Sequence, residues 1–123
     1  MLEQKLSHQE CTSKLSAVED SLYVIGGKWK IKVIIALRDG SKRFNELQRT
    51  IKGISARVLS SELKELELNG FVKRIVHADQ TPVVVEYIST EYSSTLDVII
   101  TDLVEWGLKH RKKVREGAFD GDI

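Results

Sequence analysis

Residues 44–74 read FNELQRTIKGISARVLSSELKELELNGFVKR, and the spacing of their apolar side chains decides the architecture of the chain. Leu47 and Ile51 share one face of a short helical pattern, for which Asn45 is the expected N-cap with Gln48 reaching back to it. Gly53 permits a sharp turn, and Ser55 is placed to cap a second helix whose Leu59, Leu63 and Leu66 recur at i, i+4 and i+7. Gly70 closes that helix, and a β-like run follows. At about 100° per residue, the side opposite the leucines presents Arg57, Ser61 and Lys64, with Ser60 and Glu65 at its margins. Two short helices joined by a tight turn, with a strand behind them, predict a helix-turn-helix followed by a wing.

Hydroxyls and long cations near a helix N-terminus donate to phosphates and base edges. The expected DNA contacts are therefore Ser55, Ala56, Arg57, Ser60, Ser61 and Lys64 on the second helix. Lys42 and Arg43 ahead of the helix pair, and Lys73 and Arg74 at the base of the wing, are expected to hold the phosphate backbone.

Total charge hides this pattern. The chain has 19 Lys and Arg against 18 Asp and Glu, a net of +1, which by itself argues against a nucleic-acid partner. Residues 28–74, however, carry 12 basic and 5 acidic side chains, a local net of +7, while residues 1–27 give −2 and residues 75–123 give −4. Meeting phosphates requires a local positive field. A charge-rich helical surface can also serve solubility alone, but here the asymmetry coincides with the two-helix pattern.

At 123 residues and 41% hydrophobic, the chain fits one compact unit with a real core. No apolar run approaches membrane-span length and no signal segment opens the chain, so it is expected to remain in the cytoplasm, away from membranes. Its one cysteine excludes an intramolecular disulfide framework. Residues 1–14 are expected as a mobile arm or one extra helical turn, 15–115 as a single domain with dimerising terminal helices, and 116–123 as a frayed tail.

Ser16 and Glu19 form a capping-box pattern ahead of a helix whose Leu15, Val18, Leu22 and Ile25 make one stripe, ended by Gly26 and Gly27. A second helix is expected from about Lys28 to Asp39, with Trp29, Val33, Ile34 and Leu37 inward, Lys30, Lys32 and Arg38 largely outward, and Gly40 as its stop. Residues 71–77 and 83–89, rich in Val and Ile, predict the two strands of the wing. Thr90 is a fitting N-cap for a long helix reaching about Lys113, along which Tyr92, Leu96, Ile99, Ile100, Leu103 and Trp106 share a face. That is more apolar surface than a small core needs. The expected dimer interface is therefore Leu15, Val18, Leu22, Leu96, Ile99, Ile100, Leu103 and Trp106, meeting a second copy of the chain.

Catalytic chemistry finds no support, and no cofactor is expected. His8, His77 and His110 lack companions at metal-ligand spacing, no glycine-rich phosphate loop follows a strand, and no carboxylate pair stands out. The competing reading is a winged-helix module without DNA affinity that binds protein through Leu68, Val98 and Leu108.

Several motifs in order carry a family resemblance: Ile25-Gly26-Gly27-Lys28-Trp29, Arg43-Phe44-Asn45-Glu46-Leu47, Gly53-Ile54-Ser55, Leu63-Lys64-Glu65-Leu66-Glu67 with Gly70, Val85-Glu86-Tyr87 before Thr90, and Glu105-Trp106-Gly107. Over roughly residues 16–110 the chain resembles the HxlR family. The resemblance implies a bacterial winged-helix transcriptional regulator of MarR-like fold, acting as a homodimer built through its terminal helices. Some members sense reactive electrophiles or oxidants through an N-terminal cysteine, which implies an effector of unknown identity. The family often has Cys-Pro-Val where this chain has Ser16-Ala17-Val18, so Cys11, five residues upstream beside Lys14, is the candidate redox residue or a bystander thiol. Pro82-Val83-Val84-Val85 lacks the cation common in the family's wing, and Ser93 stands at a frequent glycine.

Overall fold

The computed structural model describes residues 7–117. In chain order it contains α1 (His8–Ile25), α2 (Lys30–Ala36), β1 (Lys42–Arg43), α3 (Phe44–Thr50), α4 (Ala56–Leu68), β2 (Val72–His77), β3 (Val84–Ser89), a 3-10 turn (Tyr92–Leu96) and α5 (Asp97–Arg115). The strands form one antiparallel sheet in the order β1-β3-β2. This is the expected mainly α winged helix-turn-helix, with one strand more than the sequence reading provided.

Helices α2, α3 and α4 meet in the core. Val33, Ile34, Leu37, Leu47, Leu59, Leu63 and Leu66 are each at most 2% exposed. Burying one such side chain is worth roughly 1.5–3 kcal/mol, so the leucine stripe alone commits α4 to one rotational setting. Both ends of α4 are locally specified. Ser55 Oγ accepts from the Val58 amide at 3.1 Å. At the other end Gly70 adopts φ +83, and the amides of Phe71 and Gly70 donate to the carbonyls of Leu66 and Glu67 at 2.9 and 3.1 Å. That pair of bonds is a Schellman stop, which requires the left-handed conformation that glycine supplies.

Four local expectations change. Arg43, not Asn45, occupies the capping position of α3, and its amide donates to Glu46 Oε1 at 2.8 Å. The cause is β1, whose Lys42 and Arg43 pair with Tyr87 and Glu86 of β3, so extended backbone runs straight into the helix. Ser16 does not start α1 either. Ser7 Oγ accepts from the Glu10 amide at 3.0 Å, and the helix continues unbroken to Ile25 because residues 8–25 contain neither Gly nor Pro. Residues 8–14 of the expected arm are therefore helical, while residues 1–6 of the arm and 118–123 of the tail lie outside the described residues. Thr90 does not cap the long helix: it precedes the 3-10 turn, where its Oγ1 accepts from the Ser93 amide at 3.2 Å and donates to the Gly70 carbonyl.

Lys30 is the fourth correction. Expected on the outward side, it is 8% exposed, with Nζ 2.7 Å from Glu62 Oε1 and 3.4 Å from Glu65 Oε2. It shares the stripe of Val33, Ile34 and Leu37, so the face that carries the core carries the ammonium too. Burial by itself would lower its pKa, but the two carboxylates of α4 outweigh burial and hold it above the ordinary lysine value. A lysine with a raised folded-state pKa stabilises fully below its unfolded value, so this contribution fades only above about pH 10.4.

Lys30→Met should destabilise the fold by about 2–3 kcal/mol, because Glu62, only 13% of whose side chain is exposed, is left without a counter-charge. Lys30→Met/Glu62→Met should recover most of that loss, as read from urea unfolding midpoints. Equal destabilisation by the single and the double variant would show that the pair does not act as a unit.

Candidate nucleic-acid interface

The leucine stripe sets what α4 offers to solvent. Ala56, Arg57, Ser61 and Lys64 are exposed and Ser60 is half-buried, and none of these side chains makes an ion pair. One flank of the helix, carrying Glu62 and Glu65, faces α2 through Lys30. The opposite flank faces the wing. There Ser60, Lys64 and Glu67 line a shallow cleft with Arg74 and Tyr87.

Sheet register explains which wing cations join α4. Directly opposed residues of an antiparallel ladder project from the same face. Lys42 opposes Tyr87 and Tyr87 opposes Arg74, whereas Arg43 opposes Glu86 and Glu86 opposes Ile75. Arg74 therefore looks toward α4, and Lys73, one position earlier, lies on the other face with Arg43. Lys73 and Arg74, both expected to hold the backbone, thus project from opposite faces of the sheet. Lys42 is also partly spent, since its Nζ is bonded to Asp39 Oδ1.

The remaining charges are sorted in the same way. Lys30 is held by Glu62 and Glu65, and Arg38 Nη2 lies 2.7 Å from Asp97 Oδ1. Nine cations of residues 28–74 (Lys28, Lys32, Arg43, Arg49, Lys52, Arg57, Lys64, Lys73 and Arg74) have no ion-pair partner among the described residues. Four of them, Lys28, Lys32, Arg49 and Lys52, were not among the expected contacts. The signal that could have found them was the charge asymmetry itself, which included them without giving them a place.

The wing is braced at its middle. His77 Nε2 lies 2.7 Å from Glu86 Oε1, and Ser41 Oγ donates to Glu86 Oε2 at 3.1 Å. These bonds, His77 first, hold the Glu86 carboxyl below the ordinary glutamate range. The wing tip, residues 78–83, contains Asp79 and no Lys or Arg, so the tip brings no cation to a phosphate.

The apolar faces of α1 and α5 stand open. Leu15, Val18, Leu22, Ile99, Leu103 and Trp106 are each about half exposed or more. Val18, Leu22, Ile99 and Leu103 line a groove floored by Phe71 and Tyr92, whose rings stack at 5.1 Å. Leu96 and Ile100, expected at an interface between chains, are 7% and 8% exposed and belong to the internal core, because the first turn of α5 is drawn onto the helical head. Arg38 helps to draw it there, donating to the Ser93 carbonyl at 3.2 Å beside its ion pair with Asp97. Cys11 is a free, exposed thiol on α1. Among the described residues no group of His, Cys, Asp and Glu could hold a metal ion, and no helix is long and apolar enough to cross a membrane.

A helix-turn-helix with a wing, whose second helix presents cations and hydroxyls to solvent, defines a DNA-binding class of protein. The chain belongs to the HxlR-like helix-turn-helix family, whose profile matches residues 24–115. It is 41% identical over 103 residues to the uncharacterized HTH-type transcriptional regulator YtcD of Bacillus subtilis (strain 168), covering 84% of this chain and 81% of that protein. The redox regulator HypR in its reduced form superposes with a TM-score of 0.75 at 43% identity, covering 81% of this chain and 98% of HypR. A transcriptional regulator of the MarR family from Enterococcus faecalis V583 gives 0.72 at 34% identity, covering 89% and 99%. The protein is a DNA-binding transcriptional regulator of MarR-like fold, and its family and relatives are regulators, not enzymes.

Ser55→Ala removes the hydroxyl that accepts from the Val58 amide. It should cost about 1 kcal/mol of stability, measured by thermal or urea unfolding. An unchanged midpoint would show that the α4 terminus is held by packing alone.

Proposed function

We propose that the protein acts as a homodimer on an inverted-repeat operator, with α4 of each copy in successive major grooves about one helical turn apart. The observation that carries this reading is the polarity of the molecule. The outward face of α4 is cationic and unpaired, and the apolar faces of α1 and α5 lack a partner elsewhere among the described residues. A second copy covering Leu22, Ile99, Leu103 and Trp106 would remove that surface from water.

In this arrangement Arg57 and Ser61 read base edges from the centre of the exposed face, and Ser60, Lys64 and Arg74 hold the adjoining backbone from the wing-side cleft. Ser55 and Ala56 bring backbone amides of the helix N-terminus to a phosphate. Lys42, Arg43 and Lys73 add to the general field. HypR is named a redox regulator, and the thiol that a redox response could use in this chain is Cys11, its one cysteine.

Arg57→Ala should cost about 1–3 kcal/mol of operator affinity and relax specificity, whereas Arg74→Ala should weaken all duplexes to a similar degree, measured by competition gel shift. An Arg57→Ala protein that still discriminates as the parent does would count against the assignment. Leu103→Glu/Trp106→Glu should convert a dimer to a monomer in sedimentation velocity. A monomeric parent would remove the dimer from this reading. Binding that does not fall as salt rises would favour the protein-binding module over a DNA-binding surface.

A further inference from the structure

We propose that Lys28, Lys32 and Lys52 form a second phosphate-binding surface, which grips the duplex backbone on the α2 side of α4. The inference deepens the proposed function and rests on α4 being the major-groove helix.

The surface is built around Trp29, the half-buried residue that precedes α2 and packs against the core. Lys28 Nζ lies 4.8 Å and Lys32 Nζ 5.0 Å from the Trp29 ring centroid. The same ring reaches the turn of the helix-turn-helix, where a Cβ placed on Gly53 would stand 3.8 Å from Trp29 Cη2. Lys32 and Lys52 line one concavity with Thr50 and Ile51. Three exposed lysines are thus gathered beside the turn that leads into Ser55, the cap of α4.

Two features distinguish this cluster from an ordinary solvated face. First, a solubilising surface intersperses both signs of charge. Here four of the five carboxylates of residues 28–74 have partners other than these lysines: Glu62 and Glu65 on Lys30, Asp39 on Lys42, and Glu46 on the Arg43 amide. Second, attraction of a solvent-exposed ammonium to a ring is worth only about 0.5–1 kcal/mol, so Trp29 orients the two ammonium groups without neutralising them. Oriented, unneutralised cations suit a diffuse anionic partner such as a phosphodiester backbone.

Position supplies the remaining argument. A helix lying in the major groove has a backbone strand along each side. Arg74 and Lys64 occupy the wing side of α4, and the lysine cluster adjoins α2, which packs on the opposite flank.

The test uses the full chain, a duplex selected by the parent protein from a random-sequence pool, and a scrambled duplex of equal length. The variant is Lys28→Gln/Lys32→Gln/Lys52→Gln, checked for an unchanged melting temperature. The slope of log K against log salt should shrink by about 0.9 for each phosphate that is no longer neutralised, so by about 2–3 per protomer. Affinity for both duplexes should fall by a similar factor. The control Lys109→Gln/Arg111→Gln/Lys112→Gln removes the same charge from the end of α5 and should leave the slope as in the parent. An unchanged slope in the first variant, or an equal decrease in both, would overturn the proposal while leaving the major-groove reading intact. Failure of the parent to select any duplex would overturn both.

Discussion

Burial of Leu59, Leu63 and Leu66 against the side chains of α2 and α3 is the constraint on which the rest of the molecule depends. Three leucines on one stripe cannot be left in water at roughly 1.5–3 kcal/mol each, so the rotation of α4 about its axis is fixed. Arg57, Ser61 and Lys64 are then compelled to face outward. The two flanks acquire separate tasks: one is locked to α2 through Lys30, and the other borders the wing at Arg74. The exposed, cationic face of α4 is in this sense a by-product of the core.

The Lys30 pair adds direction to that packing. A leucine stripe tolerates some sliding and rotation, whereas an ammonium held between two carboxylates on successive turns of α4 tolerates little. A comparable device ties the head to the terminal helix, where Arg38 bonds both the buried Ser93 and Asp97. The Ser93 hydroxyl is part of this bonding. The two ties connect α4, through α2, to α5, whose apolar face is exposed.

Charge in this chain is meaningful only after pairing is considered. A net of +1 conceals a basic central third, and within that third the acids are mostly engaged with particular partners. What remains is a set of cations distributed around α4, at the wing-side cleft and beside Trp29. Its field is local, and its reach in solution is about a Debye length, roughly 8–10 Å at physiological salt. The wing contributes through its base, since its tip carries no cation.

The winged helix-turn-helix, the α4 boundaries and the outward set of α4 were all legible in the sequence, because each follows from a short-range rule: leucine spacing, a serine cap, a glycine stop. The misreadings share another cause. Asn45 yielded its capping role to a two-residue strand that exists only because β3 lies beside it. Lys30 turned inward because Glu62 and Glu65, 32 and 35 positions away, meet it there. Leu96 and Ile100 joined the internal core through the docking of α5. Local periodicity decides which face of an element is apolar. Only the packed chain decides what that face meets, because the energy that settles the question comes from groups far apart in sequence.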